Sequence, residues 1–432
     1  MDEKFAISTG GVELALRWDR GLRRNNNQDA YAIDIAKDEA TRRTRGHLFM
    51  VADGMGAHAA GELASKLAVD NIPHSYLKLR DLYPPAALRQ AIRDANTAIH
   101  AKGQSSIGFQ GMGTTCSVLV LLPQGALVAH IGDSRVYRLR GQMLEQLTFD
   151  HSLVWEMAAA GQMTEQDVPS YIPKNVITRS LGPHATVHVD LEGPYSAAAG
   201  DTFLICSDGL SGPISDEELG ALLQCLSPEE AAATLVDLAN LRGGPDNISL
   251  IIAKIDGEAP QVVVEESAAG PSTGRWPTAL LLIAAGAFLA GLIYSCIYQA
   301  WVGALVSAVG FVASALAGLS VRSGAPAVCA PHQSIGGPYG NGPYRKAQCP
   351  PDGKLLATLE DISKKLRELP TSDAGQTAVD WNEFDEARSQ ASAAAERGDY
   401  PAAIRQYSLA VRQVMKQLRE HRPTIDAMSD RF

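Results

Sequence analysis

The chain has no CxxC pair, no surplus of basic charge and no apolar core at its N-terminus. Its cysteines (Cys116, Cys206, Cys225, Cys296, Cys329 and Cys349) are scattered singly, which argues against a zinc site or a redox dithiol. A net charge of −10 leaves no basic face dense enough for nucleic acid, so none is expected as a partner. The opening stretch MDEKFAISTGG is acidic and does not read as a signal peptide, which places residues 1–255 in the cytoplasm. Charge is also missing from Trp276 to Val321. That gap has room for two membrane helices of about 20 residues each. Spans near 278–297 and 302–321 are expected, giving a multi-pass protein of the cell membrane. Arg275 before the gap and Arg322, Arg345, Lys346 and Lys354 after it suit a two-span hairpin with both chain ends cytoplasmic.

At 432 residues, two or three folding units are expected. An apolar fraction of 46% and a charged fraction of 20% describe a folded chain. Residues 1–255 intersperse strand and helix patterns. Residues 256–275 read as a linker, 276–321 as the membrane region and 322–352 as a Gly/Pro-rich tether. Cys329 and Cys349 lie in that tether, where a disulfide requires exit from the reducing compartment. Residues 353–421 read as a helical tail. Leu355, Leu359, Ile362 and Leu366 form one stripe over 353–369. A helical hairpin over 381–420 turns at Gly398-Asp399, with Asp399 capping a helix whose stripe is Tyr400, Ala403, Ile404, Tyr407, Val411, Val414 and Leu418. Gly398, Tyr400, Ala403, Tyr407 and Ala410 resemble the second helix of a tetratricopeptide repeat, but in one copy where stacks need about three. An ordinary hairpin fits equally, and either form suits a docking element for a protein partner.

Five acids stand where apolar runs break off. HLFMVA meets Asp53-Gly54, ALVAHIG meets Asp133, and TFLICS meets Asp208-Gly209. Asp246-Asn247 precedes ISLIIAKI, and Asp29 precedes AYAIDI. Asp-Gly alone is a common turn pair. Buried carboxylates are costly unless paired or bound to a cation, and no matching set of Arg or Lys lies near them in sequence. Acids converging on one rim of a sheet stack point to a hard divalent cation with oxygen ligands, Mg²⁺ or Mn²⁺. Glycine after a ligand lets the backbone turn and brings a carbonyl near the metal.

In order along the chain, DRGLRRNNNQDA, VADGMGAHAAGE, GMGTTCSVLV, HIGDSRVYRLR, LTFDHS, ITRSLG, LICSDGL and GGPDNIS resemble the motifs of the metal-dependent serine/threonine protein phosphatases of type 2C. The resemblance covers residues 12–255. It implies an α+β fold, a four-layer α-β-β-α sandwich of two central antiparallel sheets flanked by helices, here followed by the membrane region and the helical hairpin. It implies a centre of two Mn²⁺ or Mg²⁺ ions with a weaker third. By motif position Asp53 resembles the bridging ligand, with the Gly54 carbonyl on one ion and Asp208 and Asp246 on the other. Asp133 resembles the acid that joins Asp208 at the third ion. Arg24 matches the arginine that clamps the substrate phosphate, and Asp29 the acid that orients the water of the centre. The implied substrates are phosphorylated proteins, serine/threonine kinases or the targets of such kinases.

Two ions together lower the pKa of a water and neutralise phosphoryl oxygens, so no protein nucleophile is needed. Cys116 and Cys206 lie in apolar strand patterns and are read as core thiols. Two positions depart from the family pattern. Gln28 stands before Asp29 where an acidic pair is usual, placing an amide at a metal or water contact. Met55 stands where many eukaryotic relatives carry histidine, which leaves the general acid open. His58 reads as a helix-start residue, and His151 as a support for the segment over roughly 153–185. Two other classes stay open: a catalytically inactive phosphatase-like binding module, and a membrane scaffold acting through its tail.

Overall fold

The computed structural model describes residues 3–9, 11–56, 59–161, 176–256, 335–368 and 381–420. Two compact units are distinguished, Met1–Val262 joined with Ile335–Phe432, and Val263–Ser334. All described residues belong to the first. In chain order its elements begin with β1 (Glu3–Thr9), β2 (Val12–Asp19), β3 (Asp29–Asp34), α1 (Glu39–Arg45), β4 (His47–Met55), α2 (Ala60–Lys78) and α3 (Pro84–Gln104). Then come β5 (Gly113–Thr114), β6 (Cys116–Leu122), β7 (Gly125–Ile131), β8 (Arg135–Arg140), β9 (Met143–Gln146), α4 (Leu153–Ala159) and β10 (Asp190–Tyr195). They are followed by β11 (Thr202–Cys206), α5 (Asp208–Ser211), α6 (Asp216–Cys225), α7 (Pro228–Leu241) and β12 (Ile248–Ile255). The final stretch holds β13 (Arg345–Gln348), α8 (Gly353–Arg367), α9 (Trp381–Glu396) and α10 (Tyr400–Glu420).

The strands form two antiparallel sheets. One has the order β1-β2-β12-β11-β8-β9-β13; the other runs β10-β7-β6-β4-β3, with β5 paired to β4. β6 is buried along its whole length, as an unbroken apolar run requires. Its alternate residues face opposite ways. Leu119 and Leu121 join the core between the sheets, while Val118 and Val120 join the core under α2 and α3. β11 divides likewise, with Phe203 and Ile205 between the sheets and Leu204 and Cys206 on the side of α6 and α7. Helices therefore cover both outer faces, the layering expected from the sequence. Cys116 and Cys206 are free and buried, and burial pushes the Cys206 thiol up to about 12.

Two features differ from expectation. Within the stretch read as an irregular tether, Arg345–Gln348 is a strand paired antiparallel to β9. Tyr344 N–H donates to the Gln146 carbonyl at 2.9 Å and Cys349 N–H to the Gln142 carbonyl at 2.8 Å. Just upstream, Tyr339 and Gly193 exchange backbone hydrogen bonds of 2.6 and 3.1 Å, and Tyr344 Oη donates to Glu192 Oε1 at 2.6 Å. The segment thus crosses from β10, at the edge of one sheet, to β9 near the edge of the other. Cys349 is a free, buried thiol; Cys329 and His58 lie outside the described residues.

The second difference is what the tail helices face. Leu355, Leu359, Ile362 and Leu366 of α8, with Ala403, Ile404, Tyr407, Val411, Val414 and Leu418 of α10, share one core with Leu222 of α6, Leu226 just after it, and Leu235 and Leu238 of α7. Tyr400 is exposed, while Asp399 Oδ1 accepts from Ala402 N–H at 3.2 Å at the start of α10. Three arginines of α10 reach the layer of α6 and α7: Arg405 to the Cys225 carbonyl, Arg412 to Glu230 at 3.1 Å, and Arg419 to Asp237.

The multi-pass membrane placement expected from the sequence is corrected. Among the described residues no helix is long and apolar enough to cross a membrane. The long helices α2, α3 and α10 each carry charged side chains along their length, such as Lys66 and Asp70, Arg93 and Asp94, and Arg412 and Lys416. The stretches 278–297 and 302–321 lie outside the described residues.

Candidate metal centre

Antiparallel pairing brings the acids to one end of the sandwich. Asp29 opens β3 and stands in register with Asp53 near the end of β4. Asp133 follows the end of β7, Asp208 follows β11, and Asp246 precedes β12. β4 does not stop at Asp53. It continues to Met55 by changing partner, pairing Gly54 and Met55 with β5. Asp53 is held by its backbone: its N–H donates to Thr115 Oγ1 at 2.8 Å, and its carbonyl accepts from Thr115 N–H at 2.8 Å and Thr114 Oγ1 at 2.9 Å.

The glycines have a different cause from the turn expected. A Cβ on Gly54 would lie 2.2 Å from the Gly61 carbonyl oxygen and 2.6 Å from that of Gln28. A Cβ on Gly209 would lie 2.0 Å from the Asn247 carbonyl oxygen. Each glycine lets a second backbone close on the acid beside it.

Burial and mutual repulsion act together on the carboxyls. Burial pushes Asp29 up to about 8, against the pull of the nearby hydroxyls of Ser249 and Ser207. Asp133 is pushed up to about 8 by burial and then by Asp208. Asp53 is driven well above the usual carboxylate range by burial, then by Asp29, Asp208, Asp133 and Asp246. Asp208 is raised by burial and then by Asp246. Such shifts mark acids whose charges face one another without enough compensation. Oδ1 atoms of Asp29, Asp133 and Asp208 are buried without a hydrogen-bond partner, and a buried polar atom in that state calls for a missing partner. Among the described residues, no three such side chains are drawn close enough to form a closed cage. Orphaned oxygens on a set of facing carboxylates nevertheless have the hard-donor chemistry that Mg²⁺ or Mn²⁺ takes, so the residues fit the implied ions.

Arg24 supplies the nearby positive charge. Its Nη2 lies 2.7 Å from Asp246 Oδ2, with half of its side chain exposed. The loop carrying it is fixed by Asn247, whose Nδ2 donates to the carbonyls of Arg20 at 2.8 Å and Asn26 at 3.0 Å, while its Oδ1 accepts from Gln28 N–H at 2.8 Å. The Gln28 carbonyl accepts from Gly54 N–H at 3.1 Å and Ser65 Oγ at 2.6 Å, and its side-chain amide packs at the first turn of α2 near Gly61. Gln28 is thus first a joint between the β3 strand start, β4 and α2.

Sequence reasoning did not single out Asn247, Thr115 or Ser207, whose Oγ donates to Asp29 Oδ2 at 2.8 Å. Each sits beside a predicted acid or inside a quoted motif, which was the available signal. His151 is fully buried. Its Nδ1 accepts from Gly132 N–H at 2.9 Å, its Nε2 meets Asp190 Oδ2 at 2.9 Å, and Arg179 holds the other oxygen of Asp190 at 2.7 Å. That chain ties down the segment after residue 176. Beside the acids, a cleft of about 720 Å³ is lined by Asp133, Asp208, Arg135, Asp150, Trp155 and Arg345.

Two antiparallel sheets between helices, with facing acids at one end, define the fold class of the metal-dependent phosphatases. The model of the protein phosphatase 2C family matches residues 19–239. A putative protein phosphatase 2C-type of Streptococcus pyogenes is 37% identical over 252 residues, covering 57% of this chain and 99% of that protein. The solved serine/threonine phosphatase PstP/Ppp of Mycobacterium tuberculosis is 37% identical, covers 57% of this chain and 99% of its own, and has a TM-score of 0.50. The PstP catalytic domain solved in complex with two manganese ions is 35% identical over 57% of this chain and 99% of its own, at a TM-score of 0.48. The chain belongs to the protein phosphatase 2C family and is thereby a protein serine/threonine phosphatase.

Proposed function

We propose that the chain hydrolyses phosphoserine and phosphothreonine in proteins at a dinuclear Mn²⁺ or Mg²⁺ centre, opposing serine/threonine kinases. The carrying observation is the set of facing acids with orphaned buried oxygens. When bound, the ions supply a water deprotonated at neutral pH and neutralise phosphoryl charge. Asp53, the Gly54 carbonyl, Asp208 and Asp246 would hold them. Asp133 and Asp208 share the wall of the adjoining cleft, which suits them to a weaker third ion. Arg24, half exposed beside Asp246, can swing its planar guanidinium onto the non-bridging phosphate oxygens. Asp29, with one oxygen held by Ser207 and the other orphaned, would orient the water of the centre. Gln28 adds no charge there. A reading as a scaffold acting through the tail is not favoured, because the apolar stripes of α8 and α10 are buried in the core shared with α6 and α7.

The test is phosphate release from a phosphothreonine peptide with Mn²⁺, with Mg²⁺ and with chelator. Turnover should require metal, and Asp53→Asn should abolish it in a folded protein. Release that persists in chelator would overturn the reading. Gln28→Glu should lower the half-saturating Mn²⁺ concentration, by up to about tenfold for a supporting group at a metal site; an unchanged value would place Gln28 outside the site.

A further inference from the structure

Tyr344 lies beyond residues 19–239, which the family model matches, yet it is fastened to both sheets of the domain. Its N–H donates to the Gln146 carbonyl of β9 at 2.9 Å, and its Oη donates to Glu192 Oε1 of β10 at 2.6 Å. Glu192 Oε2 also accepts from Gly342 N–H at 3.0 Å. The approach is close enough to demand glycine. A Cβ on Gly340, whose φ is +67°, would lie 1.9 Å from Glu192 Oε2, and one on Gly342 would lie 2.2 Å from Tyr195 Oη. The Tyr344 ring is therefore held from both ends, by its backbone and by its hydroxyl.

That ring meets Phe149 with centroids 5.4 Å apart and planes at 69°. Phe149 in turn meets the Trp155 ring edge-on, at 5.4 Å and 90°. Edge-to-face pairs at such spacings attract beyond the apolar area they bury. Trp155 and Val154 are the two buried side chains of α4, a helix of seven residues. A helix that short has no stability of its own, so its place is set by what those two side chains pack against. The next residue of the strand adds to the hold, since the Arg345 guanidinium lies 4.2 Å from the Trp155 ring centroid. Trp155 lines the cleft beside Asp133 and Asp208. A chain of three rings thus runs from the returning segment to the wall of the cleft.

We propose that Tyr344 is a positioning residue for peptide substrates. It fixes Phe149, Phe149 fixes Trp155, and Trp155 presents the wall along which the chain flanking the phosphoresidue lies. This rests on the reading of the adjoining acids as the phosphatase centre. Tyr344 itself does not line the cleft, so it acts through the other two rings. A phosphomonoester without a peptide chain needs only the acids and Arg24. The effect therefore belongs to peptides, and the segment that returns to the domain as β13 helps to select them.

The experiment uses the full chain and two substrates, a phosphothreonine peptide and p-nitrophenyl phosphate. The ratio of their kcat/KM values is compared for wild type, Tyr344→Phe and Tyr344→Leu. Taking the ratio cancels any fraction of a variant that is unfolded. Tyr344→Leu keeps an apolar side chain but has no ring, and should lower the ratio by roughly two- to tenfold, the range of one lost aromatic pair. The loss should lie in the KM of the peptide; a loss confined to its kcat would overturn Trp155 as a binding wall. Tyr344→Phe keeps the ring and should keep most of the ratio, and a fall as deep as that of Tyr344→Leu would overturn the role of the ring. In a Trp155→Leu background, Tyr344→Leu should change the ratio no further, because two residues that act through one contact are not additive. A second fall of the same size would overturn the route through Trp155. A wild-type ratio in Tyr344→Leu would overturn the proposal altogether. Metal-dependent hydrolysis of p-nitrophenyl phosphate by wild type checks the phosphatase reading separately: its absence sinks that reading, whereas its presence with equal ratios sinks only the role of Tyr344.

Discussion

Asn247 directs its amide protons to the carbonyls of Arg20 and Asn26 and its oxygen to the Gln28 N–H. Three backbone groups of the loop that carries Arg24 thus depend on one side chain. Asn247→Ala leaves them without that partner, at about 1–3 kcal/mol for a buried polar group left unsatisfied. The expected result is a lower urea midpoint together with a lower kcat/KM. Asn247→Asp keeps the acceptor but loses both donors, and should fall between the two. Full activity in Asn247→Ala would mean that Arg24 is positioned by other contacts. Asp237 on α7 invites a test by pH. Burial pushes it up to about 7, while Arg419, Arg17 and Arg412 pull it down and Asp19 pushes it further up. Its folded pKa lies above the ordinary value of about 3.9 in an unfolded chain. Its contribution to stability is therefore full below about pH 4 and is lost as pH rises through about 7. Asp237→Asn removes that slope, so the stability of the variant relative to wild type should rise between pH 5 and pH 7.5. A difference that stays constant with pH would show that Asp237 is already ionised throughout.

At the scale of elements, the strand β13 depends on a close fit that no side-chain pattern announces. A Cβ on Gly220 of α6 would lie 2.3 Å from Cys349 Sγ and 2.6 Å from its Cβ. Gly220→Ala should displace the strand end from α6. Faster amide hydrogen exchange at Ala347 and Cys349, whose N–H groups face β9, is expected, with β12 still protected; unchanged exchange at those two would mean that the helix yields instead. RKAQ has no alternation of apolar and polar residues because β13 pairs on one side only, at the sheet edge, with its side chains half-buried or exposed. Its signal is its partner, β9, and register with a distant strand leaves no trace in the strand's own composition. The runs of β4, β6, β11 and β12 were legible because both faces are buried. The acids were legible as interruptions of those runs. Their convergence became visible through motif order, whereas Asn247 and Thr115 are uncharged and interrupt nothing. Periodicity in α8 and α10 marked the buried stripes but could not tell a partner protein from the chain's own α6 and α7.

For the whole molecule, the tail completes a core that begins at the sheets. A chain ending at Val262 would uncover Leu222, Leu226, Leu235 and Leu238, which share that core with α10. Exposing even one or two such side chains costs about 3 kcal/mol, equivalent to roughly 6–12 °C in Tm for a domain of this size. Calorimetry of the truncated and full chains, with dye binding to exposed apolar surface, checks this. Equal melting temperatures would mean that the tail is an ornament on a self-sufficient domain.

The return of the chain at Ile335 to the unit that also holds Met1–Val262 sets a concentration. Docking of α8–α10 is an encounter between two parts of one thread, and such tethered partners meet at an effective concentration in the millimolar range when the connection is short and flexible, falling as it lengthens. Severing the thread at an engineered protease site between Gly257 and Ser334 would convert a folding contact into a bimolecular equilibrium, with its own dissociation constant and its own dependence on dilution. Co-elution of the two fragments at high concentration and their separation on dilution would measure how much of the tail's hold lies in its contacts and how much in its leash.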